Sequence, residues 1–183
     1  MPNQIMIHLH TIESQASPYW DSLALVYHDS FPIDEQRPIE DIARLIEHDQ
    51  RFVAYALTDA SDTFIGMLTT WHFSQFIYIE HFAIAPTLRS QGYGSKVLQT
   101  YLSTQHKPII LEAEPPTDAI ARRRIQFYQR CGLTLYEYPY IQPAYTPERR
   151  PIQLHLMGTI DTKAIPLALI STTLHREVYG VQE

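Results

Sequence analysis

Cysteine is almost missing from this chain: among its 183 residues there is one, Cys131. An intrachain disulfide is therefore excluded, and a reducing compartment, the cytoplasm, is expected. Long apolar runs are missing too. None approaches the ~20 residues that a membrane helix needs, so no membrane partner is expected. Basic charge is in deficit, with 14 Lys and Arg against 20 Asp and Glu and a formal net charge of −6. That balance argues against a nucleic-acid partner, which requires a basic face. The opening Met1-Pro2-Asn3-Gln4 lacks the basic-then-apolar order of a secretory signal. What remains is ordinary for a globular chain, 45% hydrophobic and 19% charged. The length suits one sizeable core and is short for two, so a single domain over residues 1–183 is expected.

Periodicity divides the chain. A short strand at Ile5–Leu9 precedes two helices, about Tyr19–His28 and, after Pro38, about Ile39–Glu47. Strands follow at Arg51–Leu57, Phe64–Phe73 and Phe76–Ala85, the first two joined by the turn-rich Thr58-Asp59-Ala60-Ser61-Asp62-Thr63. After Pro86 the period becomes helical, with Tyr93, Val97, Leu98, Tyr101 and Leu102 on one face. Ile109–Glu114 reads as a strand halted by Pro115-Pro116. Thr117 or Asp118 then caps a helix to about Cys131, with Gly132 suited to the left-handed position beyond its end. Leu133–Ile141 and Ile152–Met157 read as a last strand pair. A helix over about 163–179 forms a C-terminal extension, with Pro166 in its first turn. It covers either the sheet or a partner subunit, which leaves a homodimer open. This order predicts an α/β (α+β) fold, with a central mixed, mostly antiparallel sheet flanked by helices.

The strongest chemical signal lies where the strand ending at Ala85 runs into Arg89-Ser90-Gln91-Gly92-Tyr93-Gly94-Ser95-Lys96. Gly92 and Gly94 permit close backbone approach. The first amides of the following helix have no internal partner and carry partial positive charge, which suits a pyrophosphate. Arg89 and Lys96 add cationic donors. A Walker A loop fails, because Ser95 precedes Lys96 and the first glycine is misplaced. A dinucleotide fingerprint fails at Val97, where Gly or Ala is needed. A nucleotide-phosphate binder of another α/β type is weakened accordingly. The plainest alternative is an ordinary glycine-containing turn between strand and helix.

Arg89-x-x-Gly92-x-Gly94, after an apolar-Ala-apolar-x-Pro strand end, resembles the phosphate loop of the GNAT superfamily of N-acetyltransferases. The resemblance spans roughly Phe52 to Leu135. It implies that Arg89, Ser90, Gln91, Gly92, Tyr93, Gly94 and Ser95 hold the pyrophosphate of acetyl-CoA through backbone amides. Phe82, Ala83 and Ile84 would hydrogen-bond the pantetheine arm and the acetyl carbonyl. Phe127-Tyr128-Gln129-Arg130-Cys131-Gly132-Leu133 is similar to a second segment of that family. By this resemblance Tyr128 sits near the CoA sulfur as general acid. A phenol with a pKa near about 10 is protonated at neutral pH and can supply the proton. The bland reading of Tyr128 is a half-buried aromatic on an amphipathic helix.

The amine must be neutral to attack, so a base is sought, and Glu80 is the first candidate. Strand alternation puts Tyr78, Glu80 and Phe82 on one face, with His81 and Ala83 on the other. Glu80 would then lie about 7 Å from Phe82 along that face. A β-bulge would upset this count. The alternative is a solvated or salt-bridged carboxylate. His81, Glu112 and Glu114 stand in reserve. One departure from the family is Ala121, where many members carry an Asn that contacts pantetheine. Arg122-Arg123-Arg124 beside it read as a solvated helix face, with contact to the CoA phosphates as the alternative. His8 and His10 share a strand face but are too few for a structural zinc site, so no metal is expected. By the same resemblance Phe31–Arg37 and Tyr136–Tyr145 shape the acceptor pocket, with Glu35, Tyr138 and Tyr140 as candidates; the alternative for the tyrosines is packing in the C-terminal strands. The resulting expectation is direct acetyl transfer from acetyl-CoA to a small-molecule or peptide amine in a ternary complex. The rival is an acyl-CoA-binding sensor or scaffold of the same fold without chemistry.

Overall fold

The computed structural model describes residues 5–181, so the reading of Met1–Gln4 lies outside the described residues. Eight strands form one sheet: β1 (Ile7–Ile12), β2 (Phe52–Asp59), β3 (Phe64–His72), β4 (Ile77–Ile84), β5 (Ile109–Ala113), β6 (Thr134–Leu135), β7 (Tyr140–Gln142) and β8 (Ile152–Gly158). Their order is β1-β2-β3-β4-β5-β8-β6, with β7 also on β8. Only β4 and β5 run parallel; every other pairing is antiparallel. The mixed, mostly antiparallel sheet expected from the sequence is what forms.

Helices cover both faces. On one face, α1 (Trp20–Ser30) and α2 (Ile39–His48) bury Leu23, Tyr27 and Ile42 against Ala54, Met67 and Trp71. On the other, α3 (Tyr93–Thr104) and α4 (Ala119–Arg130) bury Val97, Tyr101 and Ile125 against Leu57, Leu68 and Ile79. The alternation of a pleated strand explains the division, since neighbouring residues go to opposite cores. Asp118 caps α4 by accepting from the Ala121 amide at 2.8 Å. No helix among the described residues is long and apolar enough to cross a membrane.

The C-terminal helix covers its own sheet. α5 (Leu167–Thr173) runs into a π-helical turn at Leu174–Val178, and Ile170, Leu174 and Val178 are buried in the first core. Pro166 stands just outside α5, at its N-cap, one step earlier than expected. The predicted strand Leu133–Ile141 is broken into β6 and β7. Pro139 lies between them and has no amide for a ladder, while Tyr138 N turns back to Tyr136 O at 3.0 Å.

Gly132 has φ +96°, and a Cβ placed there meets nothing within 4 Å. Gly132→Ala therefore adds backbone strain and no clash. The expected loss is about 1–2 kcal/mol, read as a lower urea midpoint at unchanged slope.

Two features of β4 create the site. Thr69 lies opposite His81 and Thr70 opposite Ile79, so Glu80 is the unpaired residue of a β-bulge. The bulge corrects the expected faces. Glu80 bonds to Trp71 and His81 packs on Tyr27, both on the α1–α2 side with Tyr78. Phe82 packs on the opposite side, against the α3–α4 core. Glu80 and Phe82 thus do not share a face. Beyond the bulge the sheet opens, because β4 and β5 pair only from Ile77/Ile109 to Ile79/Leu111 although both strands continue.

Candidate active site

A cavity of about 630 Å³ occupies the opening between β4 and β5. It reaches through the sheet, for it is lined by Gly94, Phe127 and Tyr128 from the α3–α4 side and by Phe31, Glu35 and Gln142 from the other. Of the residues expected to hold CoA, all but Gln91 and Tyr93 line it. Gln91 donates its side-chain amide to Thr87 O at 3.1 Å, and Tyr93 packs on the α3–α4 core.

The cradle is the start of α3. Gly92 is its N-cap, in the left-handed region at φ +87°, a conformation glycine takes without strain. The first α3 amide that finds a main-chain acceptor is that of Lys96, on Gly92 O at 3.2 Å. The amides of Tyr93, Gly94 and Ser95 before it are the unpaired donors of a helix start. A side chain placed on Gly94 would meet Phe127 and Ile84, so α4 closes one wall of the cradle. Arg89 is held in place, with Nε donating to Ile84 O at 3.0 Å and Nη2 to Ser30 Oγ at 2.9 Å. On β4, the amides of His81 and Ala85 turn toward β3, to Thr69 Oγ1 and Ile65 O. Alternation then turns the amides of Phe82 and Ile84 to the open edge.

Tyr128 is buried, and no partner for its hydroxyl is found among the described residues. Burial pushes the phenol up to about 12, against the pull of Arg124 and with Glu35 adding to the rise. The proton is thus present at neutral pH.

Glu80 is the salt-bridged carboxylate of the alternative reading. Its side chain has no exposed surface, and Arg37 Nη2 lies 2.8 Å from Oε1. Tyr145 donates to the same oxygen at 2.8 Å and Trp71 Nε1 to Oε2 at 2.9 Å. Burial alone would raise this carboxyl, but Arg37 and His81 overcome it and hold the group below the ordinary glutamate value. His81 is also enclosed, its Nε2 2.9 Å from Glu35 O, and burial lowers its pKa. Two other carboxyls line the cavity in a different state. Burial raises Glu35 to about 7, with Glu114 adding and Arg124 opposing. Burial also raises Glu112 to about 7, against hydroxyl donors on Tyr140 and Tyr179. Arg37 and Tyr145 lie at the ends of the two segments expected near the acceptor without being singled out there, and Trp71 and Tyr179 were missed, for they reach this site from separate segments with no local motif.

The remaining candidates take plain roles. Tyr138 packs against the first core, and Cys131 is half-buried against the second. His10 bonds Thr58 and pairs with Asp62 at 3.2 Å. Arg124 pairs with Glu114. Among the described residues, no group of three or more His, Cys, Asp or Glu is arranged to hold a metal.

The model of the acetyltransferase (GNAT) family matches residues 16–133. Among solved structures, a protein of Bacteroides thetaiotaomicron assigned to the GNAT-family acetyltransferases superposes with a TM-score of 0.89 at 33% identity, covering 96% of this chain and 99% of its own. Spermidine N-acetyltransferase from Vibrio cholerae, in a complex with CoA and spermine, gives 0.60 at 15% identity, covering 86% and 97%. A variant of the same enzyme gives 0.61 at 14%, covering 89% and 98%. At such identity these two carry the fold alone. Among curated proteins none matches the chain in sequence.

Proposed function

Since this chain belongs to the GNAT family of acetyltransferases, we propose that it moves the acetyl group of acetyl-CoA onto a primary amine, both bound together in the parted sheet. One observation carries the reading. A single cavity has unpaired main-chain donors and a protonated phenol on one side of the sheet, and carboxyls on the other.

The residues fit the cosubstrate, which supplies an acetyl thioester. The amides of Tyr93, Gly94 and Ser95 would hold the pyrophosphate, aided by the dipole of α3. The amides of Phe82 and Ile84 would hold the pantetheine arm and polarise the acetyl oxygen. Tyr128 gives its proton to the departing sulfur. Holding both reactants in one place supplies the proximity advantage without a covalent enzyme intermediate. Glu35 and Glu112 on the acceptor side favour a cationic amine. Spermine and spermidine, named for the Vibrio protein, therefore join amino sugars, amino acids and peptide termini as acceptors to try. A cytoplasmic setting belongs to the same reading.

The test is free-thiol release from acetyl-CoA across such a panel. Release that depends on one class of amine is expected. Stabilisation by CoA with no release from any amine would instead make the protein a binding module without chemistry.

A further inference from the structure

On the acetyl-transfer reading, we infer that Glu112 takes the proton of the attacking amine, and that Tyr179, from the last turn of the chain, holds its carboxyl in place. Glu112 is the first residue of β5 beyond the last pair with β4, Ile79/Leu111, so it stands at the edge where the sheet opens. Its neighbours along β5 place it on the α1–α2 face, since Leu111 and Ala113 belong to the opposite core. Tyr128 belongs to that opposite core. Proton acceptor and proton donor therefore flank the cavity from the two faces, so the amine and the departing sulfur can each meet its own group.

The surroundings of the carboxyls separate them. Glu80 is closed by a guanidinium, an indole N–H and a hydroxyl, which favour a charge that takes up no proton. Among the described residues, Glu112 is bonded by hydroxyls alone. Tyr140 donates to Oε1, and Tyr179 lies 3.0 and 2.9 Å from Oε1 and Oε2. Facing it are Tyr78 and Glu80 from β4, Tyr140 from β7, Tyr179 after the π-helical turn and Tyr145 from the β7–β8 connection. Arg37 stands behind Glu80, and His175 lies against Tyr140. With no cation bonded to it among the described residues, the carboxyl gains and loses a proton near neutrality. Both tyrosines lie outside the segment that matches the family model, residues 16–133. The C-terminal turn is fastened to the site by Arg37 Nη2 on Val178 O at 2.8 Å and by Arg51 on Glu177 at 2.8 Å.

The step balances. The neutral amine forms the N–C bond and gives one proton to Glu112; the C–S bond breaks, and its electron pair leaves on sulfur, which takes the proton of Tyr128. Solvent then carries a proton from the carboxyl back to the phenol.

The experiment measures kcat/KM for the best amine of the panel at saturating acetyl-CoA, from about pH 5.5 to 9. Two amines of different basicity identify the limb that belongs to the protein. Wild type is expected to rise along a limb near pH 7. Glu112→Gln should lose that limb and about 10²–10³-fold in kcat/KM, with CoA affinity unchanged. Tyr179→Phe should move the limb to higher pH, because a donor that favours the charged carboxylate is gone. A merely structural tyrosine would not move it. If Glu112→Gln fails to fold, the limb of Tyr179→Phe decides alone. Near wild-type rates in Glu112→Gln, a limb unmoved in Tyr179→Phe, or a limb lost in Glu35→Gln instead would overturn the inference. A wild type that binds CoA and releases no thiol would overturn the transfer reading itself.

Discussion

Tyr128→Phe is expected to lower turnover about 10²–10⁴-fold while CoA binds as before. The substitution removes one hydroxyl whose oxygen has no protein partner among the described residues, so no buried group is left unpaired. The ring continues to pack beside Phe127, whose centroid is 5.3 Å away. On the proposed mechanism, what disappears is the proton for the departing sulfur. A thiol leaves more readily than an amine, which keeps the expected loss below that of an essential nucleophile. Single-turnover rates with CoA binding followed in parallel check it. Wild-type turnover would remove the phenol from the chemistry. Equal losses in turnover and CoA affinity would make it a packing residue.

Arg37→Met is expected to cost about 3–5 kcal/mol, because it leaves the Glu80 carboxylate buried without its cation. For a chain of this length that lowers Tm on the order of 10 °C. Met fills much of the same volume, which isolates the charge. The pH dependence carries the sign. In wild type, Arg37 helps hold Glu80 below its ordinary value of 4.5. The pair therefore stabilises fully above that pH, and its contribution fades as pH falls through the lowered value. Without Arg37, burial dominates and raises the carboxyl, so the variant recovers part of its deficit as pH drops from 7 toward 5. Urea unfolding of both proteins at those pH values measures the difference. Arg37→Met/Glu80→Gln should regain most of the loss. An equal deficit at every pH would show that Arg37 acts by packing alone.

The sequence disclosed what is local. Gly92 and Gly94 mark the helix start, because a left-handed N-cap and a close wall limit which residues stand there. Asp118 and Gly132 bracket α4 for reasons equally confined to neighbouring residues. Tyr128 lines the cavity. Bulges are harder to read, since an extra residue in one strand depends on the partner strand. Thr69 and Thr70 carry no sign that they skip Glu80, so alternation put Glu80 and Phe82 on one face and His81 on the other, where the bulge parts Phe82 from Glu80 and brings His81 beside it. The polar cluster as a meeting was illegible for a related reason. Glu112 stood in reserve as a base, but that it meets Arg37, Trp71, Tyr145 and Tyr179, residues up to 142 positions apart, is beyond any spacing rule. The C-terminal helix could be seen by its period, but not its target. Which surface receives an apolar stripe depends on what the rest of the sheet leaves uncovered.

The bulge at Glu80 has one more result. A regular strand would have kept β4 and β5 laced together to their ends, and the two faces of the sheet would be separate rooms. One surplus residue leaves a window instead, with the chemistry set in its frame. On the proposed transfer, each reactant would be recognised by its own set of walls, so the acceptor's room could be refurnished through α1, α2 and the C-terminal turn while the thioester's stayed as it was.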